Sequence, residues 1–151
     1  MSIWTPHLTV AAIIEQEGRF LLVEEASEGQ VVYNQPAGHL DENETLLEAV
    51  ARETLEEAAR HFTPEAITGF YQWKSPTNGF TYVRIAFCGR CSERDLDREL
   101  DTDIIDTVWL TPAELVEQQE KLRSPMVMRC FEDYMTGKRY PLDMISDIPA
   151  K

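Results

Sequence analysis

The chain has 151 residues, 43% of them hydrophobic and 27% charged, which predicts one globular domain spanning 1–151 and excludes fibrous and disordered classes. Its 27 acidic and 14 basic residues leave a formal net charge of −13, a field that repels polyphosphate backbones and argues against nucleic acid as a partner. No apolar run reaches membrane-spanning length, the N-terminus lacks a basic-then-apolar leader, and three cysteines fit a reducing setting, so a cytoplasmic protein without a membrane partner is expected.

In chain order, His7 to Ile14 and Arg19 to Glu25 are apolar, β-branched runs joined by Glu15-Gln16-Glu17-Gly18, a pattern that predicts a hairpin. Val31 to Tyr33 predicts a short third strand, and Asn34-Gln35-Pro36-Ala37-Gly38-His39, with its Pro and Gly, predicts a turn. Thr45 to Arg60 is built of good helix formers and opens on a capping box, Thr45-Leu46-Leu47-Glu48. Ala66 to Ser75 and Phe80 to Arg90 read as strands joined through Asn78-Gly79, a strong hairpin signal. Cys91 to Asp103 is charged without an apolar period and reads as a solvated loop; Ile104 to Leu110 reads as a further strand. Thr111-Pro112-Ala113-Glu114 and Ser124-Pro125 open two more helices, the second stopping near Gly137, with apolar anchors in the tail to about residue 148 that predict docking on the body. The order of elements is that of an α/β (α+β) unit. Cys88-Gly89-Arg90-Cys91 has CxxC spacing, but no second pair or nearby His completes a zinc site, and reduced thiols are expected. The sequence does not report oligomeric state.

The informative helix is Thr45 to Arg60. At about 100° per residue, with Glu53 at 0°, Glu56 falls near 300° and Glu57 near 40°. Leu47, Ala51, Thr54, Leu55 and Ala58 occupy roughly 100° to 200° and form the expected sheet-facing side. Three like charges on one narrow face repel one another, and Arg52, at about 260°, does not share that face. All-oxygen, carboxylate-rich ligation suits Mg²⁺, or Mn²⁺ in its place. Gly38 ends the turn that feeds the helix, so its carbonyl can approach such an ion, and Glu44 can reach it from the loop. A solvated acidic helix face is the alternative for the same residues.

Gly38-x5-Glu44-x7-Arg52-Glu53-x2-Glu56-Glu57 resembles the Nudix box, here about residues 38–60. Six specified identities match, roughly a 10⁻⁷ coincidence per start position at average residue usage. Thr54 fills an apolar slot of that motif, Ala59 stands where it has a second Gly, and Arg60 replaces its final apolar residue. Ala59 bears a conformational cost if its φ must be positive, which a helix continuing through Arg60 and His61 would avoid. The resemblance implies an α/β/α sandwich with a mixed central β-sheet. The segments Asn34 to Leu40, Leu122 to Pro125 and Gly137 to Asp143 look like the NudJ branch of bacterial Nudix phosphatases.

That resemblance implies a Mg²⁺-dependent hydrolase of small diphosphates: nucleoside di- and triphosphates and thiamine-related pyrophosphates, with orthophosphate released. Glu53, Glu56 and Glu57, with the Gly38 carbonyl and Glu44, are the expected metal ligands. Arg52 is expected to hold a box carboxylate in place; an i,i+4 pair with Glu48 accounts for it equally on spacing. Glu53 is the first candidate for general base, with Asp101 and Asp103 as alternatives. Arg19, Gln35, His39 and Arg84, with Lys74, are candidates to meet substrate, and Trp4, Tyr71, Trp73 and Tyr82 to stack a ring. Ordinary packing or surface roles account for each equally simply. A MutT-like pyrophosphohydrolase and a non-catalytic binding module of the same fold are the alternatives.

Overall fold

The computed structural model describes residues 2–150. The elements are β1 (His7–Gln16), β2 (Arg19–Ser27), β3 (Gln30–Asn34), β4 (Ala37–His39), α1 (Leu46–Ala58), β5 (Phe62–Lys74), β6 (Thr81–Cys91), β7 (Ile104–Leu110), α2 (Pro112–Glu117) and α3 (Pro125–Met135).

The β1–β2 turn carries Glu17 at φ 51° and Gly18 at φ 75°, the left-handed pair a tight hairpin needs. Yet the hairpin pairs only at its tip, through Glu15↔Phe20 and Gln16↔Arg19. Beyond that point the strands part. β1 runs parallel to β6 from His7↔Tyr82 to Ile14↔Gly89, and β2 pairs with β3 and β7. The edge of β1 that β2 leaves free is taken by β4, through Thr9↔His39, Val10↔Gly38 and Ala11↔Ala37. The segment expected as a plain turn therefore contains a strand, because an unpaired edge of a central strand must be satisfied.

Thr9 to Ile14 are buried on both faces of the sheet, as a strand with a parallel neighbour under two helical layers should be. Val10, Ala12, Ile14 and Phe87 meet Ala49, Val50 and Ala58 of α1 on one face. Ile13, Phe20 and Leu22 meet Val127, Cys130 and Phe131 of α3 on the other. Each large apolar side chain so buried contributes about 1.5–3 kcal/mol. The arrangement is the α/β/α sandwich on a mixed sheet. Cys88 belongs to the α3 side and Cys91 packs toward the α1 side, so the CxxC pair straddles the sheet. All three thiols are free. The tail docks by exchanging two hydrogen bonds of 2.8 Å between Tyr140 and Ile67, with Leu142 and Ile145 against the α1-side core.

Three expectations change at α1. The capping box is present: Thr45 Oγ1 accepts from Glu48 N–H at 3.1 Å and Glu48 Oε1 from Thr45 N–H at 2.8 Å. The helix, however, stops at Ala58, and Ala59 is buried with φ 55°, its N–H donating to Leu55 O at 3.0 Å. The left-handed residue is not avoided. Second, the acidic segment after β6 is fastened down, with Asp101 N–H donating to Glu56 O at 3.0 Å and Asp95 N–H to Ala59 O at 2.8 Å. Its amides, not its carboxylates, satisfy carbonyls at the helix end. Third, the buried residues of α1 are Ala49, Val50, Glu53, Thr54 and Ala58, so the inward arc includes Glu53. The expected sheet-facing side is rotated toward the carboxylates, because α1 packs against β4 as well as the sheet.

Candidate active site

β4 and α1 bring Gly38 and Glu53 into direct apposition. A Cβ on Gly38 would lie 2.2 Å from the Glu53 carboxyl carbon, so any larger residue there must push that carboxyl group aside. One residue earlier, Ala37 N–H donates to Glu57 Oε1 at 2.9 Å. Burial raises both carboxyl groups above the ordinary range. Glu53 is pushed up to about 7 by burial, against the opposing bond from Arg52, with Glu56 and Asp101 adding negative charge. Glu57 is pushed up to about 9 by burial, with Glu25, Glu53 and Asp101 adding to it.

Arg52 is the hub of the helix face. Its Nε and Nη2 donate to the two oxygens of Glu44 at 2.9 and 2.7 Å, its Nη1 to Glu53 Oε1 at 2.9 Å and Glu56 Oε2 at 3.2 Å, and its Nη2 to His39 O at 3.0 Å. Asp41 completes the cluster at 3.3 Å. The pair with Glu48 that spacing allowed is not made; Glu48 caps the helix instead. Hydrogen bonding from Arg52 holds the Glu44 carboxyl below its ordinary range. Among the described residues no three acidic, His or Cys side chains already form a cation cage. Glu53 and Glu56 rest on Arg52, and Glu57 on the Ala37 amide.

Gly38, Glu53 and Glu57 line a cavity of about 510 Å³ with His39 and Asp41, whereas Arg52, Glu44 and Glu56 stand outside that lining. Asn34, Arg84 and Arg123 add polar and cationic groups, and Trp73 and Tyr82 add aromatic ones. Trp73 and Tyr82 lie 6.2 Å apart at 25°. Arg84 is only 5% exposed. Its Nη1 donates to Gln35 Oε1 at 2.7 Å, its Nη2 to Asn34 Oδ1 at 3.2 Å, and its Nε has no partner. A buried guanidinium held only by neutral amides favours an anionic guest. His39 contacts His7, with 2.9 Å between ring nitrogens. Burial first, then the charges of His7 and Arg123, lowers its affinity for a proton.

The fold separates the other candidates. Arg19 pairs with Gln16, seven residues along β1 from Thr9 and so about 23 Å from the His39 register at strand rise; it is not in the site. Gln35 is fully buried and reaches the cavity only through Arg84, its own amide donating to Val127 O at 2.9 Å. Trp4 is 71% exposed, and Tyr71 is bound to Asp133 Oδ2 at 2.8 Å beside a different groove. Lys74 is exposed and outside the cavity lining. Asp101 is tied beside α1 through the Glu56 carbonyl, whereas Asp103 accepts from Ala26 N–H at 3.1 Å through its backbone. Sequence reasoning missed Asn34, Arg123 and Glu25. The only signals were a polar residue before a turn, a short motif without an assigned role, and an acid ending an apolar run.

A carboxylate-rich helix packed on a glycine-bearing strand, beside a cavity lined by a buried arginine, fits the class of hydrolases that act on pyrophosphate bonds. The NUDIX domain family matches residues 5–130, and the chain belongs to that family. It is 39% identical over 142 residues to phosphatase NudJ of Escherichia coli K12, across 94% of this chain and 92% of that protein. A NUDIX hydrolase from Nitrosomonas europaea has the same fold with a TM-score of 0.94 and 45% identity, covering 97% of this chain and all of that one. At the level of fold alone, the chain also resembles a bifunctional NMN adenylyltransferase/ADP ribose pyrophosphatase from Francisella tularensis, solved with AMP and a Mn ion. That match has a TM-score of 0.68 and 15% identity, covering 90% of this chain and 42% of that one.

Proposed function

We propose that this chain is a Mg²⁺-dependent hydrolase of small diphosphates, cleaving phosphoanhydride bonds of nucleoside di- and triphosphates and of thiamine-related pyrophosphates and releasing orthophosphate. The observation that carries the reading is the burial of Glu53 against Gly38 in a cavity that the buried Arg84 also lines. The site's donors fit a hard divalent cation, because the carboxyl groups gathered on α1 offer oxygen alone. Gly38, Glu53, Glu56 and Glu57 would hold Mg²⁺, or Mn²⁺ in its place, with Glu44 joining through water.

Bound there, the cation supplies charge neutralisation on the phosphoryl oxygens. Arg52 holds Glu53, Glu56 and Glu44 in one cluster, which limits how far the carboxylates must move to meet a cation. Arg84 binds phosphate in that cavity, His39 borders the same space, and Trp73 with Tyr82 offers an aromatic face for a base or pyrimidine ring. Glu53 accepts the proton of the attacking water, with Asp101 beside it as the alternative acceptor. The three free thiols support a cytoplasmic setting. Among the described residues, no helix is long and apolar enough to cross a membrane.

The test incubates the protein with Mg²⁺ and a panel of nucleoside di- and triphosphates, thiamine pyrophosphate and its pyrimidine pyrophosphate precursor, with orthophosphate and pyrophosphate measured separately. Orthophosphate release that disappears in Glu57→Gln is the expected result. Pyrophosphate release moves the protein to a MutT-like reaction, and Mg²⁺ binding without turnover of any panel member rejects the hydrolysis of these substrates.

A further inference from the structure

Arg123 belongs to Leu122-Arg123-Ser124-Pro125, a motif to which the site described so far gives no role. Its backbone is fixed on both sides. Leu122 is buried and bridges to Tyr33, Arg123 N–H donates to Tyr33 O at 2.8 Å, and Ser124 caps α3 by accepting from Met126 N–H at 3.2 Å. Its guanidinium is held at Nη1 by Glu25, a carboxylate 4% exposed at the level of the residue. Arginine has five N–H donors, and the side chain, still 49% exposed, lines the same cavity as Arg84 and the box carboxylates. Arg123 enters that lining from the start of α3 and Arg84 from β6, so two separate elements bring a guanidinium to one space. In a chain of net charge −13, a polyanionic guest is repelled at long range, so local cationic groups, the two arginines beside the expected divalent cation, have to offset that repulsion.

We propose that Arg123 is a phosphate-binding residue of this site and that Glu25 is its positioning residue. The inference rests on the diphosphate-hydrolase reading of this cavity. A rigid, pre-oriented guanidinium loses little freedom on meeting phosphate and can do so through paired N–H donors, whereas a lysine at the same place offers charge without the fork.

Initial rates with Mg²⁺ and a nucleoside diphosphate would be measured for wild type, R123Q, R123K and E25Q. Alongside would be read the affinity of a methylene-bridged diphosphate analogue by calorimetry, and the melting temperature of each protein. R123Q is expected to lose roughly ten- to a hundredfold in kcat/KM, most of it in KM, with the analogue weakened by a similar factor. R123K recovers part of the loss, and E25Q shifts KM in the same direction as R123Q. A folded R123Q or R123K with lowered melting temperature but wild-type KM and analogue affinity means that Arg123 merely pins the loop to β2, and overturns the inference. If R123Q does not fold, R123K decides by the same two readouts. Absence of metal-dependent turnover in wild type fails the hydrolase reading, whereas unchanged analogue affinity in the variants fails the Arg123 inference alone.

Discussion

Gly38 and Glu53 show how one missing side chain shapes the site. The space a methyl would need is filled by the Glu53 carboxyl group, 2.2 Å from the would-be Cβ, far inside van der Waals contact. Gly38→Ala must therefore displace Glu53 from Arg52 and from its place over β4. Overpacking of this kind costs about 1–3 kcal/mol of stability, while misplacing a group at the reacting centre costs about 10²-fold or more in rate. The expected outcome is a protein that still melts cooperatively, a few degrees lower, with turnover reduced by about two orders of magnitude. Wild-type rates in this variant would remove Glu53 from the chemistry. Spacing singled out the box carboxylates and Gly38, but it put Arg52 off their face, and only the family resemblance suggested the carboxylate contacts that Arg52 makes. The roles of Gln35 and Glu25 were not, because a buried amide holding an arginine and a buried acid holding another leave no periodic trace.

At the scale of elements, the two ends of α1 differ in how well sequence foretells them. Its start is a local matter of two side chains and two amides within four residues, and the capping box forms as expected. Its end depends on partners far along the chain, since Asp101 and Asp95 satisfy carbonyls there. That tertiary closure turns the chain at Ala59, with φ 55°, although alanine bears a left-handed cost of about 1–2 kcal/mol. Ala59→Gly relieves that cost and loses one buried methyl, worth about 0.8 kcal/mol. A net gain of up to about 1 kcal/mol is expected, a rise in melting temperature of about 1–4 °C for a chain of this size, with turnover unchanged. A lower melting temperature would mean that the buried methyl outweighs the strain.

At the scale of the whole molecule, the sandwich decides what the thiols can do. Cys88 and Cys130 are buried on the α3 side of the sheet, whereas Cys91 is only half-buried on the other. In the native protein a thiol reagent should label Cys91 alone, with the other two reacting after unfolding; a Cys88–Cys91 disulfide is not expected, and mass spectrometry of the unreduced protein checks it. Burial pushes the Cys130 thiol up to about 11 from 9.0. Between those values the unfolded chain has released a proton that the folded chain keeps, so stability falls as pH rises across that window. Chemical unfolding from pH 8 to 11 should show this decline, and a flat profile would contradict the burial.

By itself the sequence determined the local features: strands, capped helix starts, the spaced carboxylates and the family motif. Each of these is written in residues a few positions apart, where periodicity and capping chemistry act directly. Only the tertiary structure decided that β1 and β2 part beyond their tip, that β4 fills the vacated edge, and that α1 turns Glu53 inward. It also set Arg19 apart from the cavity, kept Arg84 in its lining, and added Asn34 and Arg123 from separate elements. Which strand edge is left unpaired, and which side of a helix meets it, depends on contacts between residues tens of positions apart. Those contacts are settled by packing and hydrogen-bond satisfaction over the entire chain.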